Sequence, residues 1–267
     1  MQRTLPSVGQ LLRTWREHRR MSQLALALDA GVSAKHISFI ESGRSIPSRE
    51  MVLTLAEVLD APLRVCNSFL IAAGLAPQYP ELRFNDPELA SARKAIEMVL
   101  GAHEPSPAIA VDRHWNLVSA NRAFAPLLAG VAPKLLEPPV NVLRVSLHPD
   151  GLASRIVNLD EWREHVLLRL NQQIQNCVDP VLRALYLELG GRPAWSPELR
   201  AHAELVATLR LRAPEGVLSF ITTTTVLGTP TEVALSELAI ESFFPADAAT
   251  AEALQRLWRG AHGPAPS

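Results

Sequence analysis

The sequence predicts an α+β protein: an all-α first part of five short helices, then a part in which helices flank an antiparallel sheet. Residues 8–74 place apolar residues at helical spacing between successive caps and turns. Residues 107–120 and 217–244 carry β-rich runs with alternating polarity and turns between them. The length of 267 residues is sufficient for two domains, and the apolar content of 48% suits a folded chain with a core.

The five helices follow one another with short breaks. Val8, Leu12 and Trp15 lie on one stripe of the first helix, away from its basic residues. Ser22 and Ser33 are placed to cap the second and third helices, because a serine hydroxyl accepts a hydrogen bond from a free N–H of the first turn. The predicted helices occupy residues 8–20, 22–30, 33–42, 47–60 and 62–74.

The second and third helices form a helix-turn-helix pattern, because only Ala30-Gly31-Val32 separates them. The stretch SQLALALDAGVSAKHISFIESGRSIPS resembles the lambda-repressor/Cro-like domains of bacterial regulators of the xenobiotic-response-element type. The resemblance covers about residues 8–74. The matching positions are Ser22, Gln23, Ala27, Ala30, Gly31, Val32, Ser33, Ile37, Ser38, Glu41, Gly43, Arg44 and Pro47.

This resemblance implies that the third helix reads bases in the major groove of double-stranded DNA. A lysine suits the acceptors of guanine, and alanine or phenylalanine can contact the thymine methyl group. The implied base-reading residues are Ser33, Ala34, Lys35 and Phe39, and the implied phosphate contacts are Gln23, His36, Arg44 and Arg49. An ordinary alternative stays open, in which Lys35 and His36 are merely solvated and Phe39 packs against the other domain.

The domain boundaries follow from composition. Pro77, Pro80 and Pro87 interrupt a stretch without a helical stripe, which predicts an extended linker. We expect a DNA-binding domain at 1–74, a linker at 75–90, a second domain at 91–260 and a disordered tail at 261–267.

The start of the second domain resembles a PAS domain: strand, Asp turn, strand and then Asn-x-Ala before a short helix. The matching residues are Asp112, Asn121, Ala123, Leu127 and Gly130. Trp115 stands where many PAS sequences have a glycine or a small residue.

Residues 141–173, together with the upstream motif, resemble the MmyB-like regulators, whose second half is a PAS-like ligand-binding domain. The matching residues are Asn141, Arg144, Leu147, His148, Pro149, Gly151, Leu152, Arg155, Trp162 and His165. The resemblance implies a five-stranded antiparallel sheet around an apolar cavity and a fatty-acid-like or other hydrophobic ligand, with no further cofactor. The expected pocket residues are Trp115, Arg144, His148, Arg155, Trp162, His165, Phe220, Leu238 and Ile240. For the polar members, structural salt bridges and caps are the alternative.

A hairpin is expected near the C-terminus, with its turn at Gly228-Thr229-Pro230 and its second strand within residues 233–244. Alternation places Leu238, Ile240 and Phe244 on a buried face, and Glu237 and Glu241 on a solvated one.

Several classes of function are disfavoured. No segment approaches the roughly 20 apolar residues of a membrane span, and no spacing of the eight histidines is typical of a metal site. Two distant cysteines argue against a disulfide framework and favour a reducing cytoplasm. Residues 1–80 carry nine Lys/Arg against six Asp/Glu, a weak indication that this part meets a polyanion.

We therefore expect a ligand-responsive transcription regulator, not an enzyme, that binds a pseudo-palindromic operator as a homodimer. Three alternatives remain: a second domain that only dimerises or binds proteins, a helix-turn-helix module that binds proteins instead of DNA, and a PAS-like enzyme. The absence of a catalytic constellation in the sequence argues against the enzyme.

Overall fold

The computed structural model of the protein describes residues 6–191, 208–227 and 231–262. The chain divides into two compact units. The first contains Met1–Leu82, Gln175–Val178 and Thr229–Ser236, and the second contains Arg83–Ile174, Asp179–Gly228 and Glu237–Ser267.

The described residues form eleven α-helices and five β-strands. The helices are α1 Val8–His18, α2 Gln23–Asp29, α3 Ala34–Glu41, α4 Arg49–Val58, α5 Leu63–Ala72, α6 Ala90–Ala102, α7 Val142–Leu147, α8 Leu159–Asn176, α9 Pro180–Glu188, α10 Val233–Ser236 and α11 Ala248–His262. The strands are β1 Ala108–Val111, β2 Leu117–Ala120, β3 Thr208–Ala213, β4 Gly216–Val226 and β5 Ala239–Pro245. These elements confirm the α+β prediction.

Helices α1 to α5 surround the core of the first unit. The side chains of Ser22 and Ser33 accept hydrogen bonds from the N–H groups of Ala25 and His36, so both predicted caps are confirmed. Val8, Leu12 and Trp15, the predicted stripe of α1, are all buried, as are Ile37 of α3 and Phe69 of α5. The core of this unit therefore follows the helical spacing of its sequence.

The first unit also takes in two short segments from the second half of the chain. Glu232 accepts a hydrogen bond from the N–H of Leu82 at 2.9 Å, and the N–H of Val233 donates to the carbonyl of Pro80 at 3.0 Å. The half-buried Cys177 packs against the helical core. The segment around Pro80 and Leu82 is thus held by residues distant in sequence.

The second unit is built on a five-stranded sheet with strand order β2-β1-β5-β4-β3, all neighbours antiparallel. Helix α6 packs against β1 and β2, and α11 packs against β4 and β5. The five-stranded antiparallel sheet implied by the resemblance is confirmed within the described residues.

Three expectations for the last hairpin are wrong. Residues Val233–Ser236 are helical, so β5 begins only at Ala239. Glu241 is buried with 4% of its surface exposed, whereas Phe244 is 43% exposed. Alternation alone fails here because β5 lies between β1 and β4, where both faces of a strand can be covered by other elements. The predicted turn at residues 228–230 lies outside the described residues.

Two further observations concern the ends of the chain and its helices. Helix α11 reaches His262, two residues into the segment predicted as a disordered tail, while residues 263–267 lie outside the described part. None of the described helices combines the length and apolarity that crossing a membrane requires.

Candidate DNA-binding surface and ligand cavity

The surface of α3 is the candidate DNA-binding site. Gly31 enters the turn before α3 with φ +67°, a conformation that costs glycine little. Ile37 and Ile40 face the core, which leaves the opposite side of the helix toward solvent. Ser33 and Lys35 are exposed, and Ala34 and Phe39 are half-buried. The four residues expected to read bases thus include two exposed ones at the start of the helix.

Phe39 lies beside two cations. Lys35 Nζ is 5.5 Å from the centre of the Phe39 ring, and Arg44 Cζ is 5.7 Å from it. Cations within about 6 Å of an aromatic face are attracted to it, so the ring and the two cations form one positively charged surface. Lys35 and Arg44 are both exposed, which leaves their charges available to a polyanion.

A buried network beneath this surface holds α1, α2 and α3 together. Glu41 accepts hydrogen bonds from Arg16 Nε at 2.6 Å and Nη2 at 2.9 Å, and from Gln23 Nε2 at 2.8 Å. Only 5% of the Glu41 side chain and 10% of the Arg16 side chain are exposed. The hydrogen bonds to Glu41 raise the pKa of Arg16 above its ordinary value. Sequence reasoning matched Glu41 to a motif but did not find its partner, which lies 25 positions away.

Two of the expected phosphate contacts are engaged within the first unit. Gln23 belongs to the network just described. Arg49 donates to the carbonyl of Ala76 at 2.8 Å and to the Gln78 side chain at 3.0 Å, and so fastens the segment that follows α5. His36 is half-buried on α3, and Arg44 is exposed just beyond it.

The second unit encloses a cavity against the sheet face that carries Ile109, Glu241 and Phe243. Its lining is predominantly apolar and comes from β1, β3, β4, β5, α7 and α8 and the loops near them. The space open to the centre of a water-sized sphere is about 70 Å³, several times the roughly 10–15 Å³ that one water needs. A largely apolar concave space of this kind is typical of a small-molecule site.

Two tryptophans form part of the cavity wall. Trp162 donates from Nε1 to the Ser146 hydroxyl at 2.8 Å, and Trp115 donates from Nε1 to Gln173 Oε1 at 2.9 Å. Trp115 has φ +66°, in the left-handed region that favours glycine. A bulky residue there has a conformational cost, which the hydrogen bond and ring contacts of Trp115 offset.

One ion pair lies in the cavity wall. Arg169 donates from Nη1 and Nη2 to the two carboxylate oxygens of Glu241, at 3.0 and 2.7 Å. The Thr224 hydroxyl donates to the same carboxylate at 2.7 Å and accepts from Arg169. The guanidinium also lies over the Trp115 ring, with Cζ 4.9 Å from its centre. The lining is therefore apolar apart from this ion pair and the side chains of Ser146 and Thr222.

The Arg169–Glu241 ion pair was not predicted from the sequence. Trp162, Val166 and Arg169 follow one another at positions i, i+4 and i+7 of α8, so they share one helix face, and all three line the cavity. That spacing was the available signal for Arg169. No comparable signal existed for Glu241, whose neighbours in the sheet come from distant parts of the chain.

Two family models match the chain at the positions of these two sites. The model described as helix-turn-helix matches residues 12–65, which include α2 and α3. The model described as the MmyB-like transcription regulator ligand binding domain matches residues 92–257, more than half of the chain. The chain belongs to the MmyB-like transcription regulators. The family resemblance expected from the sequence is confirmed, and a comparison with curated proteins found no match.

As an MmyB-like regulator, the protein is a DNA-binding transcription regulator with a ligand-binding domain. Of the pocket residues expected from its sequence, Trp115 and Trp162 line the cavity. The others lie outside the described lining: Arg144, His148, Arg155, His165, Phe220, Leu238 and Ile240.

In this MmyB-like regulator, the expected polar residues have structural partners. Arg144 forms a two-point ion pair with Glu188, with Nε 2.7 Å from Oε1. Arg155 donates to the backbone carbonyls of three residues, Leu127, Ala129 and Arg212. The His148 ring accepts the N–H of Asp150 at 3.0 Å. These contacts favour the alternative stated above, in which these polar residues form structural salt bridges and caps and do not bind a ligand.

His165 stands behind the cavity wall. Its ring stacks on Trp162 with centroids 5.4 Å apart, and its Nε2 is buried with no hydrogen-bond partner among the described residues. Burial lowers the pKa of His165, and the nearby Arg169 charge lowers it further. The imidazole is therefore neutral at pH 7, and it contributes no charge behind the wall.

Proposed function

We propose that the protein binds an operator as a homodimer and that a small hydrophobic ligand in the cavity controls this binding. The observation that carries the proposal is the largely apolar cavity in the unit matched by the ligand-binding family model. Both family models describe domains of transcription regulators. This favours a protein that binds its ligand over an enzyme that converts it. A fatty-acid-like or other hydrophobic molecule in a PAS-like domain fits the lining.

The DNA contacts proposed on α3 divide into two classes. Ser33, Ala34, Lys35 and Phe39 are proposed to meet base edges, because Ser33 and Lys35 are exposed at the start of α3 and Phe39 lies beside the Lys35 and Arg44 cations. Arg44 and His36 are proposed to meet phosphates. Gln23 and Arg49 were also predicted there, but each would have to release its present acceptor to reach a phosphate.

The homodimer is proposed on geometric grounds. One recognition helix reads only a few base pairs, and a two-fold axis places a second copy about 34 Å away along the DNA, one helical turn distant. Sedimentation of the protein with and without operator DNA tests this. A monomer in both conditions would contradict the proposal.

The ligand is tested by filling the cavity. Val166 lines the cavity from α8, so Val166→Phe occupies part of the space that a ligand needs. We expect the variant to lose the hydrophobic molecules that mass spectrometry detects after denaturing the purified wild-type protein. We also expect removal of those molecules from the wild type to change its operator affinity in a fluorescence anisotropy titration.

A matched control uses the same substitution on another helix of the same unit. Val99 is 50% exposed on α6, so Val99→Phe adds equal bulk without entering the cavity. It should retain the bound molecules and the ligand response. If wild-type protein carries no small molecule, and its DNA affinity is unaffected by extraction, a dimerisation module becomes the better account of the second unit.

A further inference from the structure

The charges of the cavity wall are balanced before any ligand enters. Arg169 and Glu241 are the only ionisable side chains among the described lining residues. They form a two-point ion pair in which 25% of the Arg169 side chain and 5% of the Glu241 side chain are exposed. An anionic ligand would therefore add an unpaired charge to a largely apolar site, which is costly.

Displacing Glu241 from Arg169 would not avoid this cost. Both carboxylate oxygens are engaged, one by Arg169 Nη1 and the other by Arg169 Nη2 and the Thr224 hydroxyl. Glu241 lies on β5, opposite Ile109 of β1 and Thr224 of β4. A displaced carboxylate would lose both Arg169 hydrogen bonds and keep only that of the Thr224 hydroxyl, and removing the partner of a buried charge is strongly destabilising.

Arg169 nevertheless has hydrogen-bond donors to offer. A guanidinium carries five N–H groups, and Arg169 uses one on Nη1 for Glu241 and two on Nη2 for Glu241 and Thr224. Its Nε–H and second Nη1–H have no acceptor among residues 6–191, 208–227 and 231–262. A neutral ligand oxygen can accept from such a donor without adding charge.

We propose that this cavity selects a hydrophobic molecule with an uncharged, oxygen-containing head group, such as an ester, lactone, ketone or alcohol, held by Arg169. Glu241 is the residue that disfavours an ionised carboxylate. The inference rests on the proposed function, since it specifies the ligand class of the same cavity. It also narrows the fatty-acid-like expectation to molecules whose head group is uncharged when bound.

The test compares three probes that share one alkyl chain: decanol, methyl decanoate and decanoate. Full-length protein, freed of co-purified molecules, is titrated with each by calorimetry at about pH 8, where a carboxyl group is ionised. We expect the two neutral probes to bind at least about ten-fold more tightly than decanoate, the ratio for a difference of about 1.4 kcal/mol. Decanoate binding as tightly as the neutral probes, or more tightly, overturns the inference.

Two variants test whether Glu241 is the residue that makes the cavity prefer neutral probes over decanoate. Glu241→Gln removes the balancing charge and keeps the shape, so decanoate affinity should rise about ten-fold or more while the neutral probes change little. Glu188→Gln is the matched control, because it makes the same change in the Arg144 pair outside the cavity. Its probe preference should equal that of the wild type. If Glu241→Gln folds and still rejects decanoate, Glu241 is not the selective group.

The outcomes separate the two proposals. Preference for decanoate refutes the head-group inference and leaves a ligand-controlled regulator intact. Failure of all three probes to bind refutes the hydrophobic-ligand proposal and the inference with it. The wild-type comparison needs no variant, so poor folding of Glu241→Gln would not rescue the inference from a contrary wild-type result.

Discussion

Gly9 sets how closely α1 approaches α3, the helix proposed to read DNA bases. A Cβ atom at this position would lie 2.3 Å from the carbonyl oxygen of Ile40 and 2.8 Å from that of Glu41, whereas ordinary contact begins near 3.4 Å. Gly9→Ala therefore requires α1 and α3 to separate by about 1 Å, against backbone atoms that have no rotamer to adopt. We expect this substitution to weaken both the fold of the first unit and DNA binding.

The magnitude follows from two opposing effects. Alanine improves helix propensity over glycine by up to about 1 kcal/mol. Overpacking costs about 1–3 kcal/mol, and more where the contacted atoms cannot move. The contact at Gly9 involves two backbone carbonyls, so the second effect wins and the unit should lose about 2 kcal/mol. For a helical unit of this size that corresponds to a melting temperature lower by roughly 10 °C.

Circular dichroism melting measures this loss, and hydrogen exchange of peptides from α1 and α3 locates it. Gly101→Ala is the control, because Gly101 is also helical but a Cβ there would meet nothing within 4 Å. That variant should be unchanged or more stable by up to about 1 kcal/mol. A Gly9→Ala protein as stable as the wild type, with unchanged exchange in α3, would refute the reasoning.

Two other predictions concern α3 and the cavity wall. Lys35→Ala should cost about 1–3 kcal/mol on the preferred operator and relax selection at one base pair, whereas Arg44→Ala should weaken binding to all sequences and reduce the salt slope by about one. Equal losses on operator and random DNA for both variants would contradict that division. Since the folded pKa of His165 lies below its unfolded value near 6.5, the unfolded chain binds more protons. With respect to this residue, the folded state therefore has its full stability above about pH 6.5 and loses stability as the pH falls below that value. Urea unfolding at several pH values should show a flatter pH dependence for His165→Phe than for the wild type, and equal slopes would count against this assignment.

The first unit was predictable from local sequence because its helices are specified by nearby residues. Ser22 and Ser33 cap helices whose first turns they directly precede, and Gly31 permits the left-handed turn between them. Caps, turns and the 3.6-residue period all act within a few positions of the chain. The sequence therefore predicted α2 and α3 to within about two residues.

The cavity wall was predictable only in part. Trp115 and Trp162 were identified from the sequence, but Arg144 and Arg155 were chosen over Arg169 because they lie in a segment rich in polar and aromatic residues. Arg144 instead pairs with Glu188, and Arg155 holds three backbone carbonyls. Composition of a segment does not show which side of a helix faces a cavity.

By itself, the sequence determined the helix-turn-helix unit, the α+β class and the family, because these depend on short-range patterns and motif spacing. Only the tertiary structure decided the polarity of the cavity. Alternation predicted a solvated Glu241, yet the strand order placed β5 between β1 and β4, and α8 brought Arg169 to it from 72 positions away. A buried carboxylate requires a partner, and which residue supplies that partner is decided by packing between distant segments.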